Sequence, residues 1–483
     1  MRKSMAPTHP LEIQEIKDLV VSYLGRNDLT QCLRVSKNWR SMFLPYIWRI
    51  VRTGLYQGPR GTYCVSGPTW DAIDNHRHAI EELTLVNMSD GFNKYQYPNL
   101  RRLVIDMSFS KAQHSQLFMN FTTKTPMLVD LELKGGYLPS VFWIALMEHP
   151  HLRHLSLTNL TIGIYDEPRL WRTCMKLESL DLYMVVLQKT SRPLGNMMFG
   201  RLRRLMFKTT LYPYFLEIAV RSPMLESLEW NVYNYWSSLQ PPTVAGNWSH
   251  LKKVYLPGWD EDANMDLLFK RVENGLGNMA DVEEPYRSGS DTRVSKAFGS
   301  HFSTLVDMDL RAAKKMSRST VPDILCFCPR LKKLLAASVS ARSVAERGPW
   351  ACQHLQELQI QFAFEKGEDH LKPLMFERLS TLVQLERLTL DYRFTDGNRD
   401  VGMLECQLGR GLGQLARLQQ LRHIWFYTSF SNSRYPHLGM EEVEWILKNW
   451  GQLEKIQGDL TDNIELRAQL RRAFKSNGIR AVT

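Results

Sequence analysis

The string Leu-x-x-Leu-x-Leu recurs along most of this chain and constrains its fold more than any other feature. It stands clean at Leu128-Leu131-Leu133, Leu152-Leu155-Leu157, Leu177-Leu180-Leu182 and Leu385-Leu388-Leu390. Counting degraded copies, hexads begin at Ile80, Leu100, Leu128, Leu152, Leu177, Leu202, Leu225, Leu251, Leu305, Leu331, Leu355, Leu385, Leu421 and Leu453. The second and third apolar positions of each hexad are two apart, so they share one face of a short strand. One such strand cannot cover its own leucines. Units repeating at this interval bury them by stacking, each on its neighbours.

Most gaps between hexads are 20 to 28 residues, one is 54, and the last three are 30, 36 and 32. The long gap equals two ordinary periods, which predicts a degraded copy near Met279–Val282. The last three imply loop insertions. Between hexads the apolar spacing turns helical, as in Ser140–Glu148 and Pro213–Arg221. Pro98, Pro126, Pro150, Pro223 and Pro329 each stand two residues before a hexad, where they end the preceding helix. A strand and a returning helix every ~20–29 residues make a leucine-rich-repeat solenoid. The expected fold is therefore α/β, a curved parallel sheet with outer helices over residues 80–460. Residues 461–483 read as a C-terminal capping helix, with Thr461-Asp462 at its start, a stripe of Ile464, Leu466, Leu470 and Phe474, and Gly478 as its stop.

Composition excludes several classes. The chain has 483 residues, 44% hydrophobic and 23% charged, as expected of a folded repeat array. No apolar run of about 18 residues predicts a membrane-spanning helix, and no apolar stretch follows the basic start to make a secretory leader. Cys32, Cys64, Cys174, Cys326, Cys328, Cys352 and Cys406 are scattered and odd in number. They read as reduced, mostly buried thiols, which suits the cytoplasm or nucleus.

No hexad precedes Ile80. Residues 1–8 read as a flexible tail, and residues 9–50 as three compact helices. Ile13, Ile16, Leu19 and Val20 form a stripe on the first helix, which Tyr23-Leu24-Gly25 ends. Asp28 is the expected N-cap of the second, with Leu29, Cys32 and Leu33 inward. Val35-Ser36-Lys37-Asn38-Trp39 leads into the third, which closes at Ile47-Trp48-Arg49. With Pro10-Leu11-Glu12-Ile13, Tyr23-Leu24 and Asp28-Leu29, the order and spacing resemble an F-box. Two departures are Pro10-Leu11, where many members have Leu-Pro, and the less acidic Gly25-Arg26-Asn27. The resemblance covers about a tenth of the chain, and the array behind it resembles the leucine-rich-repeat class of F-box proteins.

That resemblance implies a non-enzymatic substrate receptor. The F-box would bind the Skp-type adaptor, and through it a cullin, of an SCF ubiquitin ligase, while the repeats hold a protein substrate. The adaptor-facing candidates carried over by position are Pro10, Leu11, Ile13, Ile16, Leu24, Leu29, Val35, Trp39 and Trp48. About half are expected to face the adaptor. The rest serve the core of a segment too small to bury all its apolar surface, Trp39 foremost. Residues 51–79, rich in Gly and Pro, read as an irregular connector ending in a short helix over Thr69–Ala79.

For a hexad starting at i, positions i+2, i+4 and i+6 face the concave side. This predicts a ladder of Arg102 and Asp106, then Asp130, Glu132 and Lys134, then His154, Asp181 and Tyr183. Arg204, Lys208, Glu229, Lys253 and Tyr255 follow, then Asp307, Asp309 and Arg311. Lys333, Glu357, Arg387, Asp391, His423, Trp425, Tyr427 and Lys455 complete it. The signs alternate, which suits a protein partner rather than nucleic acid. The net charge of +11 is then expected to sit on solvated positions such as Arg101, Arg203, Lys252 and Lys332. Two aromatic clusters, Trp230–Trp236 and Trp425–Phe430 with Tyr435, are candidate interface anchors or supports for inserted loops.

Catalytic and cofactor signatures are missing. In His149-Pro150-His151-x-x-His154 the proline breaks any shared helical face, so a structural role is expected rather than metal binding. Gly409-Arg410-Gly411-Leu412-Gly413 lacks a preceding strand, and Asp260-Glu261-Asp262 lacks the calcium-loop spacing. No cofactor is implied.

Overall fold

The computed structural model describes residues 13–57, 63–86, 92–108, 121–136, 138–187, 197–208, 218–219, 221–231, 250–255, 302–311, 317–392, 404–427 and 435–482. All fourteen hexad-opening residues, from Ile80 to Leu453, are buried. The chain divides into two units, residues 1–192 and 193–483. Each is built from the same rung, and the fold is an α/β leucine-rich-repeat solenoid.

In the first unit the ladder strands are β1 (Ile50–Arg52), β4 (Glu82–Val86), β5 (Arg102–Asp106), β6 (Asp130–Lys134), β7 (His154–Thr158) and β9 (Ser179–Tyr183), paired parallel in that order. Registration keeps like with like. Leu103, Leu131, Leu155 and Leu180 lie in one row, and Ile105, Leu133, Leu157 and Leu182 in the next. Every one of these is buried, while their neighbours on β6 and β7 are half-buried, so side chains alternate between core and open face. Fully burying a leucine is worth about 2 kcal/mol, so each rung stabilises the next. Helices over Phe121–Lys124, Ser140–Glu148 and Glu167–Cys174 contribute Phe121, Phe142, Trp143, Leu146, Leu170 and Trp171 to the core.

A backbone feature marks each rung. The i+1 carbonyl of one hexad accepts from both the i+1 and i+2 amides of the next. Arg101 O takes Val129 N at 2.8 Å and Asp130 N at 2.9 Å, and Val129 O takes Arg153 N at 2.9 Å and His154 N at 3.0 Å. The pattern starts before the first hexad, since Arg49 O accepts from Glu81 N at 2.9 Å. Among the described residues of the connector, regular elements therefore replace the expected irregular chain. β1 is a rung without leucines, and Gly54–Gln57 (β2) and Tyr63–Ser66 (β3) form an antiparallel hairpin. The expected helix is present over Trp70–His76. Thr69 Oγ1 caps it by accepting from Ala72 N at 3.3 Å, and a 3-10 turn follows over Arg77–Ala79. Thr161–Ile162 (β8) and Val186–Leu187 (β10) make a separate parallel pair.

The second unit pairs β11 (Arg204–Lys208), β12 (Ser227–Asn231), β13 (Lys253–Tyr255), β14 (Asp307–Leu310), β15 (Lys333–Ser340), β16 (Glu357–Ala363), β17 (Arg387–Asp391), β18 (His423–Tyr427), β19 (Lys455–Gly458) and β20 (Arg480–Val482), all parallel and in sequence order. Here β13 and β14 are direct hydrogen-bonded neighbours, with Lys253 opposite Asp307. The expected degraded copy at Met279–Val282 lies outside the described residues.

The C-terminal end departs from expectation in two ways. Asn463, rather than Thr461 or Asp462, caps the helix Ile464–Ser476 by accepting from Leu466 N at 3.0 Å. Leu470 and Phe474 are buried, but Ile464 sits in the first turn facing solvent. After Gly478 the chain adds β20 to the sheet beside β19, so a strand follows the helix.

Candidate interaction surfaces

The three N-terminal helices occupy Gln14–Tyr23 (α1), Arg26–Val35 (α2) and Lys37–Arg49 (α3). Asp28 is not the N-cap of α2. Gly25 holds that position, and Asp28, three residues on, reaches back to accept from Gly25 N at 3.0 Å. Ser36 caps α3 by accepting from Trp39 N at 3.1 Å. Among the described residues of these helices only Leu29 and Phe43 are buried.

The adaptor-facing candidates therefore separate. Ile13 and Val35 are exposed, alongside Leu19 and Tyr23, the last at 82%. Ile16, Leu24, Trp39 and Trp48 are half-buried, and Leu29 belongs to the helical core. Trp39 packs its ring 5.4 Å from Phe43, and Trp48 stacks at 4.4 Å on His76. Pro10 and Leu11 lie outside the described residues. A polar cleft of about 610 Å³ runs beneath α1 and α3. In it Gln14 donates to the Tyr46 hydroxyl and Tyr46 donates to Asp18, both at 2.7 Å. Burial and the neighbouring Asp18 carboxylate push the Tyr46 phenol up to about 12.

The open face of the sheet carries the i+2, i+4 and i+6 side chains, in the first unit as an ion-pair network. Arg102 lies 3.6 Å from Asp130 and 3.4 Å from Glu132, and Glu132 also pairs with Lys134 at 2.8 Å. Burial raises the Asp130 carboxyl above its ordinary range, against the opposing pull of Arg102. His154 and Asp181 are half-buried, and Tyr183 is exposed.

On the second unit's open face Arg204 is exposed and Lys208 pairs with Glu229 at 2.5 Å. Lys253 is exposed on β13, and Tyr255 on the same strand donates to Asp307 at 2.5 Å. Two ladder residues are not on offer to a partner. Asp309 is buried because the Arg311 guanidinium folds over it, with Nη2 2.7 Å from Oδ2. Asp391 is buried beside Leu390, Tyr392 and Leu404, where the segment after residue 403 returns against the strand and Leu404 O accepts from the Tyr392 hydroxyl.

Further along the same face Lys333 and Arg387 share Glu357, each at 3.3 Å. His423, Trp425 and Tyr427 line β18, with Trp425 and Tyr427 ring centroids 5.0 Å apart and planes tilted by 57°. Of the aromatic clusters, Phe426 is core, while Tyr435 receives the Arg467 guanidinium at 5.2 Å. Residues 232–236 and Phe430 lie outside the described residues.

The i+1 positions are not simply solvated cations. Glu226 holds both Arg203 and Lys252 at 2.9 Å, and Arg153 pairs with Glu178 at 2.7 Å. These cations and the Lys252 hydrogen bond first of all pull the Glu226 carboxyl below its usual range.

His149 follows the helix Ser140–Glu148. It is buried, and its Nε2 lies 2.7 Å from Thr125 O. Among the described residues no group of three His, Cys, Asp or Glu is placed to hold a metal. Gly409–Gly413 spans the end of one 3-10 turn and the start of the next, not a strand-to-helix loop. Asp260–Asp262 lies outside the described residues. Cys32, Cys174, Cys326, Cys328, Cys352 and Cys406 are free thiols, and all but Cys32 and Cys326 are buried. Among the described residues no helix is long and apolar enough to cross a membrane.

No protein-family model matches this chain, and no curated protein matches it. Solved structures do. An internalin from Listeria monocytogenes is 14% identical with a TM-score of 0.36, over 86% of this chain and 89% of that one. The TLR13–ssRNA13 complex is 12% identical with a TM-score of 0.40, over 85% of this chain and 65% of the TLR13 chain.

Proposed function

We propose that this protein is the substrate-recognition subunit of an SCF-type cullin–RING ubiquitin ligase. In this reading residues 9–50 are an F-box that docks on a Skp-type adaptor, and the open face of the repeats holds a protein substrate. The observation that carries it is the imbalance in the N-terminal helices. They bury Leu29 and Phe43 yet leave Ile13, Leu19, Tyr23 and Val35 in solvent. Large apolar side chains clustered on so small a segment mark a surface that a partner covers. The chain would contribute no catalytic residue. It would work by effective concentration, keeping a substrate lysine near a charged conjugating enzyme. Free, buried thiols fit a reducing cytoplasm or nucleus.

A second reading, a leucine-rich-repeat interaction scaffold outside any ubiquitin ligase, draws on a different observation. β1 continues α3 directly into the sheet and Trp48 stacks on His76, so the helices also serve as an N-terminal cap of the array. Co-purification with the Skp-type adaptor separates the two. Ile13→Asp with Val35→Asp, both exposed and thus tolerated by the fold, should abolish that association. Association that survives the double substitution, or is absent from the wild type, favours the scaffold.

A further inference from the structure

The i+2 residues of the second unit form one row across its sheet, and their charges change character along it. From β13 to β16 the row alternates strictly, as Lys253, Asp307, Lys333 and Glu357, each opposite the next in register. From β17 to β20 it continues as Arg387, His423, Lys455 and Arg480, with no acid on the row. Arg387 shares Glu357 with Lys333, and His423 lies 3.6 Å from Glu454. Lys455 and Arg480 have no ion-pair partner among the described residues, and Arg480 is exposed.

The acids nearby are already engaged. Glu454 is also held by Arg422 at 3.3 Å. Asp459, which follows β19, takes both Arg467 at 2.9 Å and Arg471 at 3.3 Å. Beside the row, on the same face of β18, stand Trp425, 36% exposed, and Tyr427.

Resting on the reading of the repeats as a protein-holding surface, we propose that this basic row with its Trp425–Tyr427 flank docks an acidic segment of the partner protein. Adjacent strands are about 4.8 Å apart, so the four positions of the row span roughly 14 Å. Any three adjacent positions, about 9.6 Å, match two turns of a helix with carboxylates at i, i+3/i+4 and i+7, which span about 10.5 Å along one face. The alternating half of the row satisfies its own charges and offers no comparable attraction. Nucleic acid is the poorer occupant. Trp425 and Tyr427 are tilted against each other and offer no parallel stacking platform.

The test is fluorescence anisotropy of the full-length protein with a labelled twelve-residue Glu-rich peptide at low salt. Lys455→Glu with Arg480→Glu should weaken binding at least tenfold, and Lys455→Gln with Arg480→Gln by several-fold. Lys253→Glu, on the alternating half, should change it less than twofold. Circular dichroism melts verify that each variant is folded. Wild type that ignores the peptide overturns the inference, as does equal loss in the Lys253 variant or tighter binding of a single-stranded oligonucleotide that the same substitutions abolish. Adaptor co-purification through the N-terminal helices is scored separately, so either result can fail without the other.

Discussion

Trp48 lies against the ring of His76, with centroids 4.4 Å apart and planes 23° from parallel. This contact ties the last turn of α3 to the helix Trp70–His76. With β1 it fastens the N-terminal helices to the repeats. Trp48→Ala should therefore loosen the helices while sparing the solenoid. The expected cost is about 2 kcal/mol for a half-buried tryptophan that loses its stacking partner. Hydrogen exchange should rise across residues 14–49 and stay unchanged in β5–β7. Equal acceleration in those strands would mean that the helices and the array open as one body.

Gly458 ends β19 at φ +101°, and a Cβ on it would collide with the Phe426 carbonyl oxygen. Nothing soft is there to yield, since the obstacle is the backbone of the neighbouring rung. Gly367 has a similar φ of +91° but open space around it. Gly367→Ala should cost about 1 kcal/mol, the left-handed penalty alone. Gly458→Ala should cost about 3 kcal/mol or more, because β18 and β19 must separate locally. Urea midpoints of the two variants decide the matter, and equal losses would place the whole cost in the backbone angle.

Leu131, Leu155 and Leu180 were legible in the sequence because a two-residue alternation leaves an apolar residue only one face to occupy. The same rule located the open-face positions, including Arg102, Glu132 and Tyr183. It failed where burial comes from somewhere other than the rung. Asp391 is covered by Leu404 from a returning segment, and Asp309 by an arginine two residues away. Neither pattern has a period. β1 escaped notice because Ile50-Val51-Arg52 presents a single inward residue and no leucine, so only its pairing with β4 reveals a rung. The exposure of Leu19 and Tyr23 was likewise beyond the pattern, since a helical stripe marks a face without naming what covers it.

His149 should impose a measurable pH dependence. Burial holds its imidazole down to about 4, against an ordinary value near 6.5, with Lys176 and His151 adding smaller pushes in the same direction. The unfolded chain thus binds a proton between those values that the folded chain does not. The contribution is fully present above pH 6.5 and is lost as pH falls toward 4, about 3 kcal/mol across the window. His149→Gln removes the titrating group. The difference in unfolding free energy between wild type and variant should therefore shrink as pH falls from 7 to 4. A difference that stays flat would show that His149 becomes protonated in place.

Tyr255 and Asp307 should be energetically coupled across β13 and β14. The hydroxyl donates to Asp307 Oδ2 at 2.5 Å, and burial with the carboxylate raises the phenol above its ordinary range, so the pair is a neutral donor on a charged acceptor. Tyr255→Phe keeps the ring packing and leaves the carboxylate without this donor. The expected loss is about 1–2 kcal/mol, reduced because both side chains keep some contact with water. Asp307→Asn keeps an acceptor but removes the charge and should cost less. The double variant closes a cycle whose interaction term should be about 1 kcal/mol. This bond also spans the junction where 46 residues, 256–301, enter between neighbouring rungs. If the interaction term is near zero, the β13–β14 pairing rests on the backbone ladder and on Val254 and Met308, which lie opposite each other in the core.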